Sequence, residues 1–249
     1  MLKEERFEHI LSMIKKSGKI TYEQISKELD VSIDTIRRDI ELLNNNGLLV
    51  KTRGGAISRA KHPLSFQERT STFSSGKNII ALKAQQFIKA GQTIFMDGGT
   101  TICAIGARLS LNLRCRVITN NQALVPVLSK LNGIEVILLG GRYNRETATT
   151  EGVETCAEAR KYIVDLYLMG TCSIDAGFGI TAGYREDAAL KRIVIESAQK
   201  TVAVSNNEKL NSAEPFRVCG LDEIDTLITD LPGDHKKLNA YRNLGLKLI

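Results

Sequence analysis

Near the N-terminus, apolar residues recur at the spacing of an α-helix. Ile36, Ile40 and Leu43 stand at i, i+4 and i+7, which places them on one face of a helix of about four turns. Ser32 is a favourable N-cap residue before this stripe, and Gly47 is a favourable stop after it. The pattern predicts an amphipathic helix with one buried face and one charged face.

Two further helical stripes precede this one. They comprise Phe7, Ile10, Leu11 and Ile14 in the first, and Ile25 and Leu29 in the second. Thr21 and Gln24 open the second helix with the spacing of a capping box, and this helix ends at Asp30. A helix, a short turn and a second capped helix predict a helix-turn-helix, in which the later helix enters the DNA major groove.

A short β-ribbon follows the third helix. Residues 48–50 and 56–57 are apolar and flank a polar Gly-Gly turn. Four basic residues lie in the turn and just beyond it, with no acidic residue between positions 51 and 62: Lys51, Arg53, Arg59 and Lys61. Such a cationic edge suits phosphate contact, so the region predicts a winged helix-turn-helix. The alternative, a helical cap with a solvated basic loop, explains fewer of these features.

The segment TIRRDIELLNNNGLLVKTRGGAI closely resembles the N-terminal signature of the DeoR family of bacterial transcriptional regulators, and the match runs from about residue 6 to residue 57. The resemblance implies that the helix beginning near Ser32 reads an operator. The expected DNA-binding residues are Ser32, Thr35, Arg37 and Arg38 in this helix and Lys51 and Arg53 in the ribbon. Arg53 stands where the family usually has His, which should strengthen phosphate attraction.

Strand-like and helical segments alternate in the rest of the chain. Predicted strands cover residues 93–96, 116–119, 134–139, 165–169, 201–204 and 226–229, and predicted helices cover residues 77–89, 102–109, 122–131 and 185–197. Alternating βα units predict a mostly parallel sheet covered by helices. A polar stretch without sustained periodicity precedes them, so we predict a DNA-binding domain at 1–57, a linker at 58–76 and an α/β effector-sensing domain at 77–249.

Polar residues and glycines follow these strands. They are Asp97, Gly98, Gly99, Thr100 and Thr101 after the first strand, Asn120 and Asn121 after the second, Gly140 and Gly141 after the third, and Gly170 and Thr171 after the fourth. Ligands of parallel α/β sheets bind at the carboxyl ends of strands, and glycines allow the backbone to approach them. The set suits a phosphate and several hydroxyls. Each Gly-Gly pair alone fits a tight turn equally well, and motifs for dinucleotides or nucleoside triphosphates are absent from the sequence.

The segments DGGTT, ITNN, LLGGRYN, ALKR and DTLITD resemble the C-terminal sensor domain of the DeoR family, from about residue 77 to residue 230. The resemblance implies a fold similar to ribose-5-phosphate isomerase and the coenzyme A transferases, with a phosphorylated sugar or related metabolite as effector. The implied pocket residues are Asp97, Gly98, Gly99, Thr100, Thr101, Asn120, Gly140, Gly141, Lys191 and Lys209. Lys191 fits a solvated helix face equally well, and Lys209 fits a loop charge. Gly98 stands where the family usually has Ser, and Asn206 stands where Asp is usual.

Composition adds few constraints. The formal net charge of +6 and the pI of about 9.0 permit a polyanionic partner without requiring one. Five scattered cysteines without a C-x-x-C pair and three separated histidines indicate reduced thiols, no metal site and no cofactor. The charged N-terminal segment and the lack of a long apolar run predict a soluble, cytoplasmic protein.

Together these features favour a DNA-binding regulator that senses a metabolite, binds operator DNA as a dimer or tetramer and has no enzymatic activity. The family resemblance implies that it is a repressor of carbohydrate metabolism genes. One alternative is an active sugar-phosphate isomerase or deaminase that uses Asp97, Glu186 and Lys191 for acid/base chemistry. Another is a redox-switched regulator that uses Cys103 or Cys172, which lie near strand ends.

Overall fold

The chain divides into two units, Met1–Phe73 and Ser74–Ile249. The structure is a computed structural model that describes residues 3–45, 48–57, 66–71 and 74–249. In the first unit the elements are α1 (Lys3–Ser17), β1 (Lys19–Thr21), α2 (Tyr22–Leu29), α3 (Ile33–Asn45), β2 (Val50–Thr52), β3 (Gly55–Ile57) and α4 (Phe66–Ser71). The strands form an antiparallel sheet in the order β1-β3-β2. The predicted helices and ribbon are therefore present, and β1 adds a third strand that the sequence did not indicate.

Side-chain caps fix the ends of the two helices of the helix-turn-helix. The Thr21 hydroxyl accepts a hydrogen bond from the Gln24 amide at 3.2 Å, and the Gln24 side chain accepts one from the Thr21 amide at 2.9 Å. Asp30 ends α2 in the left-handed conformation with φ 51°. The Ser32 hydroxyl accepts from the Thr35 amide at 3.2 Å and caps α3. These predicted caps are confirmed, whereas Gly47 lies outside the described residues.

The core of the first unit combines the three predicted stripes with one buried ion pair. Ile10, Ile36 and Ile40 are fully buried together. Arg6 Nε donates to Asp39 Oδ2 at 2.7 Å, and both side chains are largely removed from solvent. This pair joins α1 to α3 and so helps to fix the orientation of the predicted reading helix.

The second unit contains a seven-stranded sheet among its described residues. Its elements are α5 (Ser74–Ala84), β4 (Thr93–Met96), α6 (Thr100–Gly106), β5 (Cys115–Thr119), α7 (Val125–Leu128), β6 (Ile134–Leu138), β7 (Arg142–Asn144), β8 (Thr149–Glu151), α8 (Val153–Ala159), β9 (Leu166–Gly170), β10 (Ser173–Asp175), β11 (Gly179–Ala182), α9 (Arg185–Ser197), β12 (Thr201–Ser205), β13 (Phe216–Cys219), β14 (Thr226–Thr229) and β15 (Lys247–Leu248). The sheet order is β15-β14-β12-β9-β4-β5-β6, and every neighbouring pair is parallel. The predicted α/β fold class is confirmed.

Several predicted bounds differ from the structure. The helix expected at 77–89 begins at Ser74 and gives way to a 3-10 turn at Gln85–Phe87. The helix expected at 122–131 is a 3-10 turn followed by α7, which carries Pro126 in its first turn. The segment expected to be a linker, 58–76, contains the helix α4 and the first residues of α5. The sequence also missed the β7–β8 hairpin, the antiparallel sheet β10-β11-β13, α8 and β15, because two- to seven-residue elements show no sustained periodicity.

The chain order of the strands creates a switch point at the centre of the sheet. The first strand, β4, lies beside β9, while β5 and β6 extend to one side and β12, β14 and β15 extend to the other. At such a point the connections from two neighbouring strands diverge and leave a crevice for a ligand at their carboxyl ends. The residues after β4 and β9 therefore occupy the expected binding position of this fold.

Candidate functional site

The outer face of α3 presents two arginines in different environments. Arg37 donates to Asp34 at 3.3 Å, and its guanidinium lies 5.7 Å from the centre of the Tyr22 ring. Arg38 is exposed and forms no ion pair with any residue that the structure describes. Ser32 is exposed and Thr35 is half-buried at the start of the same helix. The Arg38 side chain therefore has fewer intramolecular contacts than the Arg37 side chain.

The ribbon presents its basic residues beside an acidic residue of α3. The Lys51 ammonium forms an ion pair with Glu41, and the hydrogen bond to this carboxylate raises the pKa of Lys51. The Lys51 backbone amide donates to the Asn44 side chain at 2.9 Å. Arg53 is exposed in the turn between β2 and β3, whereas Arg59 and Lys61 lie outside the described residues. A phosphate group at Lys51 would compete with Glu41.

Asp97 bridges the two strands of the switch point. Its Oδ1 accepts from the Gly170 amide at 2.7 Å, and its Oδ2 accepts from the Tyr167 hydroxyl at 2.7 Å. Oδ2 also contacts the Lys191 ammonium. Asp97, Tyr167 and Lys191 are almost wholly buried. Because Asp97 directly follows β4, and Tyr167 and Gly170 belong to β9, the carboxylate connects the two neighbouring strands at the switch point.

Lys191 lies between two carboxylates. Asp187, one turn earlier on α9, is 3.3 Å from the ammonium, and Asp97 completes the contact from the end of β4. Burial opposes the charge on Lys191, but Asp187 and Asp97 outweigh it and hold its pKa above the ordinary value. Burial raises the pKa of Asp97, and Lys191 opposes that rise. Lys191 therefore does not lie on a solvated helix face, which was the alternative interpretation.

The acid/base alternative named Glu186 as a partner of Lys191. Glu186 is half-buried at the start of α9, and the carboxylate that contacts Lys191 is instead that of Asp187. The positive charge of Lys191 is shared between two fixed carboxylates. Sequence reasoning missed Asp187 and Tyr167, although the i, i+4 spacing of Asp187 and Lys191 was a usable signal.

The loop after β4 is closely packed at Gly98 and open at Gly99, where a Cβ atom would meet no other atom within 4 Å. A Cβ atom on Gly170 would lie 2.5 Å from the Gly98 carbonyl oxygen, and one on Gly98 would lie 2.8 Å from Thr149 Cγ2. Gly99 has φ 117°, a conformation that only glycine adopts readily. Thr100 and Thr101 then open α6 and are buried. The predicted residues of this loop therefore lie together beside the Asp97 bridge.

Two asparagines after β5 carry unsatisfied acceptors. Asn120 donates to the Thr150 carbonyl at 2.9 Å, and Asn121 donates to the Asp97 carbonyl at 3.1 Å. The Oδ1 atoms of both are buried and accept no hydrogen bond from the described residues. An unsatisfied buried acceptor costs about 1–3 kcal/mol, so these two atoms favour a hydroxyl or water donor at this position. Asn121 was not among the implied pocket residues.

The remaining candidates have structural contacts. Gly141 has φ 131°, and a Cβ atom there would lie 2.1 Å from Thr155 Oγ1 and 2.8 Å from the Glu151 carbonyl oxygen, whereas one on Gly140 would meet no atom within 4 Å. The Lys209 ammonium donates to the Thr171 carbonyl at 2.5 Å. Lys209 therefore reaches the loop after β9, whereas Gly140 and Gly141 follow the edge strand β6 and connect it to the hairpin.

The described residues do not favour redox chemistry at Cys172, metal binding or membrane insertion. Burial raises the pKa of the Cys172 thiol, which lies 3.9 Å from Asp187, and this lowers its reactivity. No group of three or more His, Cys, Asp or Glu side chains within the described ranges could hold a metal ion. None of the described helices combines the length and apolar character that crossing a bilayer requires.

The two units define a DNA-binding protein with a winged helix-turn-helix and a separate parallel α/β domain. A sequence model of the DeoR-like helix-turn-helix domain matches residues 6–62, and one of the DeoR C terminal sensor domain matches residues 72–231. The chain belongs to the DeoR family of transcriptional regulators and is a DNA-binding regulator rather than an enzyme.

Individual relatives agree with this assignment. The chain is 38% identical over 232 residues to the HTH-type transcriptional repressor GlcR of Bacillus subtilis, an alignment that covers 92% of this chain and 89% of that protein. It is 32% identical over 237 residues to the lactose phosphotransferase system repressor of Lactococcus lactis, with 92% of each chain covered. Ribose 5-phosphate isomerase A from Neisseria gonorrhoeae aligns with 60% of this chain and 56% of its own, at 16% identity and a TM-score of 0.40.

Proposed function

We propose that this regulator represses carbohydrate metabolism genes and that a phosphorylated sugar or related metabolite, bound at the carboxyl ends of β4, β5 and β9, modulates its operator affinity. The relatives are named as repressors, and one of them as a repressor of a sugar phosphotransferase system. A site that recognises hydroxyls and an anion suits that class of effector.

One observation carries the effector proposal. Two buried acceptors, Asn120 Oδ1 and Asn121 Oδ1, lack partners among the described residues, and the loop after β4 is open at Gly99, where a Cβ atom would meet no other atom within 4 Å. Sugar hydroxyls supply the donors that the asparagines lack, and backbone amides of glycine loops are suitable donors to an anion. Lys209 is a candidate cation, because its ammonium reaches the loop after β9, whereas the Lys191 ammonium is paired with Asp97 and Asp187.

The DNA-binding part of the proposal assigns Ser32, Thr35, Arg37 and Arg38 to the major groove and Lys51 and Arg53 to phosphates. Two half-sites about one helical turn apart require a two-fold arrangement of reading helices, so we propose a dimer or tetramer. Because its target is chromosomal DNA, we place the protein in the cytoplasm.

Thermal unfolding with a panel of sugar phosphates tests the effector proposal. A ligand that binds only the folded protein at 100 times its Kd adds about 2.7 kcal/mol to the free energy of unfolding, which raises Tm by roughly 5–10 °C. We expect one or a few hexose, pentose or triose phosphates to raise Tm, while their unphosphorylated sugars and inorganic phosphate do not. An unchanged Tm across the panel at millimolar concentrations would contradict the proposal.

A further inference from the structure

The first turn of α5 lies directly against two strand ends of the second unit. A Cβ atom on Gly76 would lie 2.5 Å from Asn206 Nδ2 and 2.9 Å from Asp230 Oδ2. Asn206 follows β12 and Asp230 follows β14. Glycine is needed at position 76 for this close approach, since the Asp230 side chain is held in place. Asp230 is fixed by the backbone and side-chain amides of Asn207, at 2.7 and 2.9 Å.

Asn206 also contacts the loop of the proposed effector site. The Thr101 hydroxyl donates to Asn206 Oδ1 at 3.4 Å, which is at the long end of the range for a hydrogen bond. Asn206 is 3% exposed, and its Nδ2 has no hydrogen-bond partner among the described residues. The Oδ1 atom of Asn206 therefore makes a weak hydrogen bond to α6. Its Nδ2 atom packs against Gly76 and has no hydrogen-bond partner among the described residues.

The remainder of α5 is firmly attached to the sheet. The Lys83 ammonium donates to the carbonyls of Thr229 and Leu231, both at 2.8 Å. Ile80 and Ala84 are fully buried in the same cluster as residues of α6. The first turn is thus the part of α5 that depends on Asn206.

The first turn of α5 is directly connected to the first unit along the chain. α5 begins at Ser74, and the first unit ends at Phe73, so one peptide bond separates the turn from the unit that contains α3. A displacement of the turn is necessarily a displacement of the chain that enters the first unit.

We propose that Asn206 couples the effector site to the DNA-binding unit through Gly76, an inference that rests on the proposed function. An effector oxygen that accepts the Thr101 hydroxyl breaks the weak bond to Asn206 Oδ1. The freed amide rotates to satisfy Nδ2, since an unpaired buried donor is unfavourable. Because Gly76 packs against this amide, the first turn of α5 follows the rotation.

The test compares Gly76→Ala with Gly233→Ala in the full-length protein. The methyl group added by Gly76→Ala would displace the Asn206 amide, whereas a Cβ at Gly233 meets no atom within 4 Å. Two quantities are measured for each protein: the Kd for the sugar phosphate that most raises wild-type Tm, by titration calorimetry, and the ratio of DNA Kd values with and without that compound. The DNA is the promoter fragment that the wild type binds most tightly. Asn206→Ser, which removes the amide without adding volume, serves as a second variant if Gly76→Ala lowers Tm below the assay temperature.

We expect the ratio of DNA Kd values to be about 5 to 150 in the wild type and in Gly233→Ala, and below about 2 in Gly76→Ala and in Asn206→Ser. The affinity of each variant for the sugar phosphate should stay within about threefold of the wild-type value, because coupling is a quantity separate from either affinity. A wild-type ratio in both variants would overturn the coupling proposal alone. A wild-type protein that binds none of the sugar phosphates would overturn the proposed function and this inference with it.

Discussion

Asp97 and Lys191 place opposite charges in the interior of the second unit, where an unpaired charge is poorly solvated. Tyr167, the Gly170 amide and Asp187 complete the hydrogen bonding of the pair. At the scale of single residues, this network explains why the segments DGGTT and ALKR are both needed: the first supplies the carboxylate and the second supplies the ammonium that neutralises it. Removing Lys191 leaves the buried Asp97 carboxylate with its hydrogen bonds from Tyr167 and Gly170 but without the ammonium that contacts it.

Lys191→Met should therefore destabilise the protein by about 3–5 kcal/mol, measured by urea denaturation. Because the pKa of Lys191 is raised above 10.5 in the folded protein, its contribution should be complete below that pH and decline only as the pH rises further. Lys161→Met is the matched control, since Lys161 is exposed and pairs with Glu158 across one turn. Equal midpoints for the two variants would show that the buried pair contributes little.

Arg37 and Arg38 differ in what they contact, and the difference predicts their roles. Arg38→Ala should lose about 1–3 kcal/mol of operator binding if its side chain is bidentate to a guanine, with a smaller loss on random DNA. Arg37→Ala is the comparison, because Arg37 already contacts Asp34 and Tyr22. Fluorescence anisotropy on both DNAs measures the losses. An equal loss on operator and random DNA for Arg38→Ala would identify a phosphate contact instead.

At the scale of elements, the sequence predicted those parts whose signals are local. The Thr21–Gln24 capping box, the Ser32 cap and strands β4 and β14 follow from residues adjacent in the chain. The β7–β8 hairpin and the β10-β11-β13 sheet did not, because strands of three or four residues acquire their stability from tertiary contacts rather than from their own pattern. Tyr167 and Asp187 were missed for a related reason, since only the fold brings Tyr167 to Asp97 and Asp187 to the same ion pair.

The ion pair between Lys51 of the ribbon and Glu41 of α3 should affect how the protein binds DNA phosphates. Lys51→Ala should flatten the salt dependence of DNA binding, with a slope lower by about 0.9 for one lost phosphate contact. Glu41→Gln, which removes the competing carboxylate, should instead strengthen DNA binding at low salt. Anisotropy titrations between roughly 50 and 200 mM salt measure both effects. At low salt we expect Lys51→Ala to weaken DNA binding and Glu41→Gln to strengthen it. A change of DNA affinity in the same direction in both variants would exclude Lys51 from the interface.

In the proposed function, the first unit of the molecule binds the operator and the second unit binds the effector. Asp97→Asn should leave operator affinity without effector unchanged and reduce the response to the sugar phosphate, because the altered group lies entirely within the second unit. Anisotropy with and without the compound measures both properties in one titration. Circular dichroism is the control, since the substitution also weakens the contact to Lys191. A folded Asp97→Asn protein with a full response would remove Asp97 from the proposed site.

An operator with two-fold symmetry requires a pair of reading helices, so we expect the protein to form an oligomer. Light scattering should give the mass of a dimer or tetramer of the 27.4 kDa chain. A monomer that binds DNA one-to-one would contradict this expectation.

The most direct measurement is the anisotropy of DNA from upstream of its own and neighbouring genes, titrated with the wild-type protein across salt, with and without the sugar phosphate panel. We expect tight, salt-sensitive binding to one of these DNA regions and a change of about 5- to 150-fold in the Kd for that region with one member of the panel. Specific binding that no sugar phosphate changes would contradict the account of effector control.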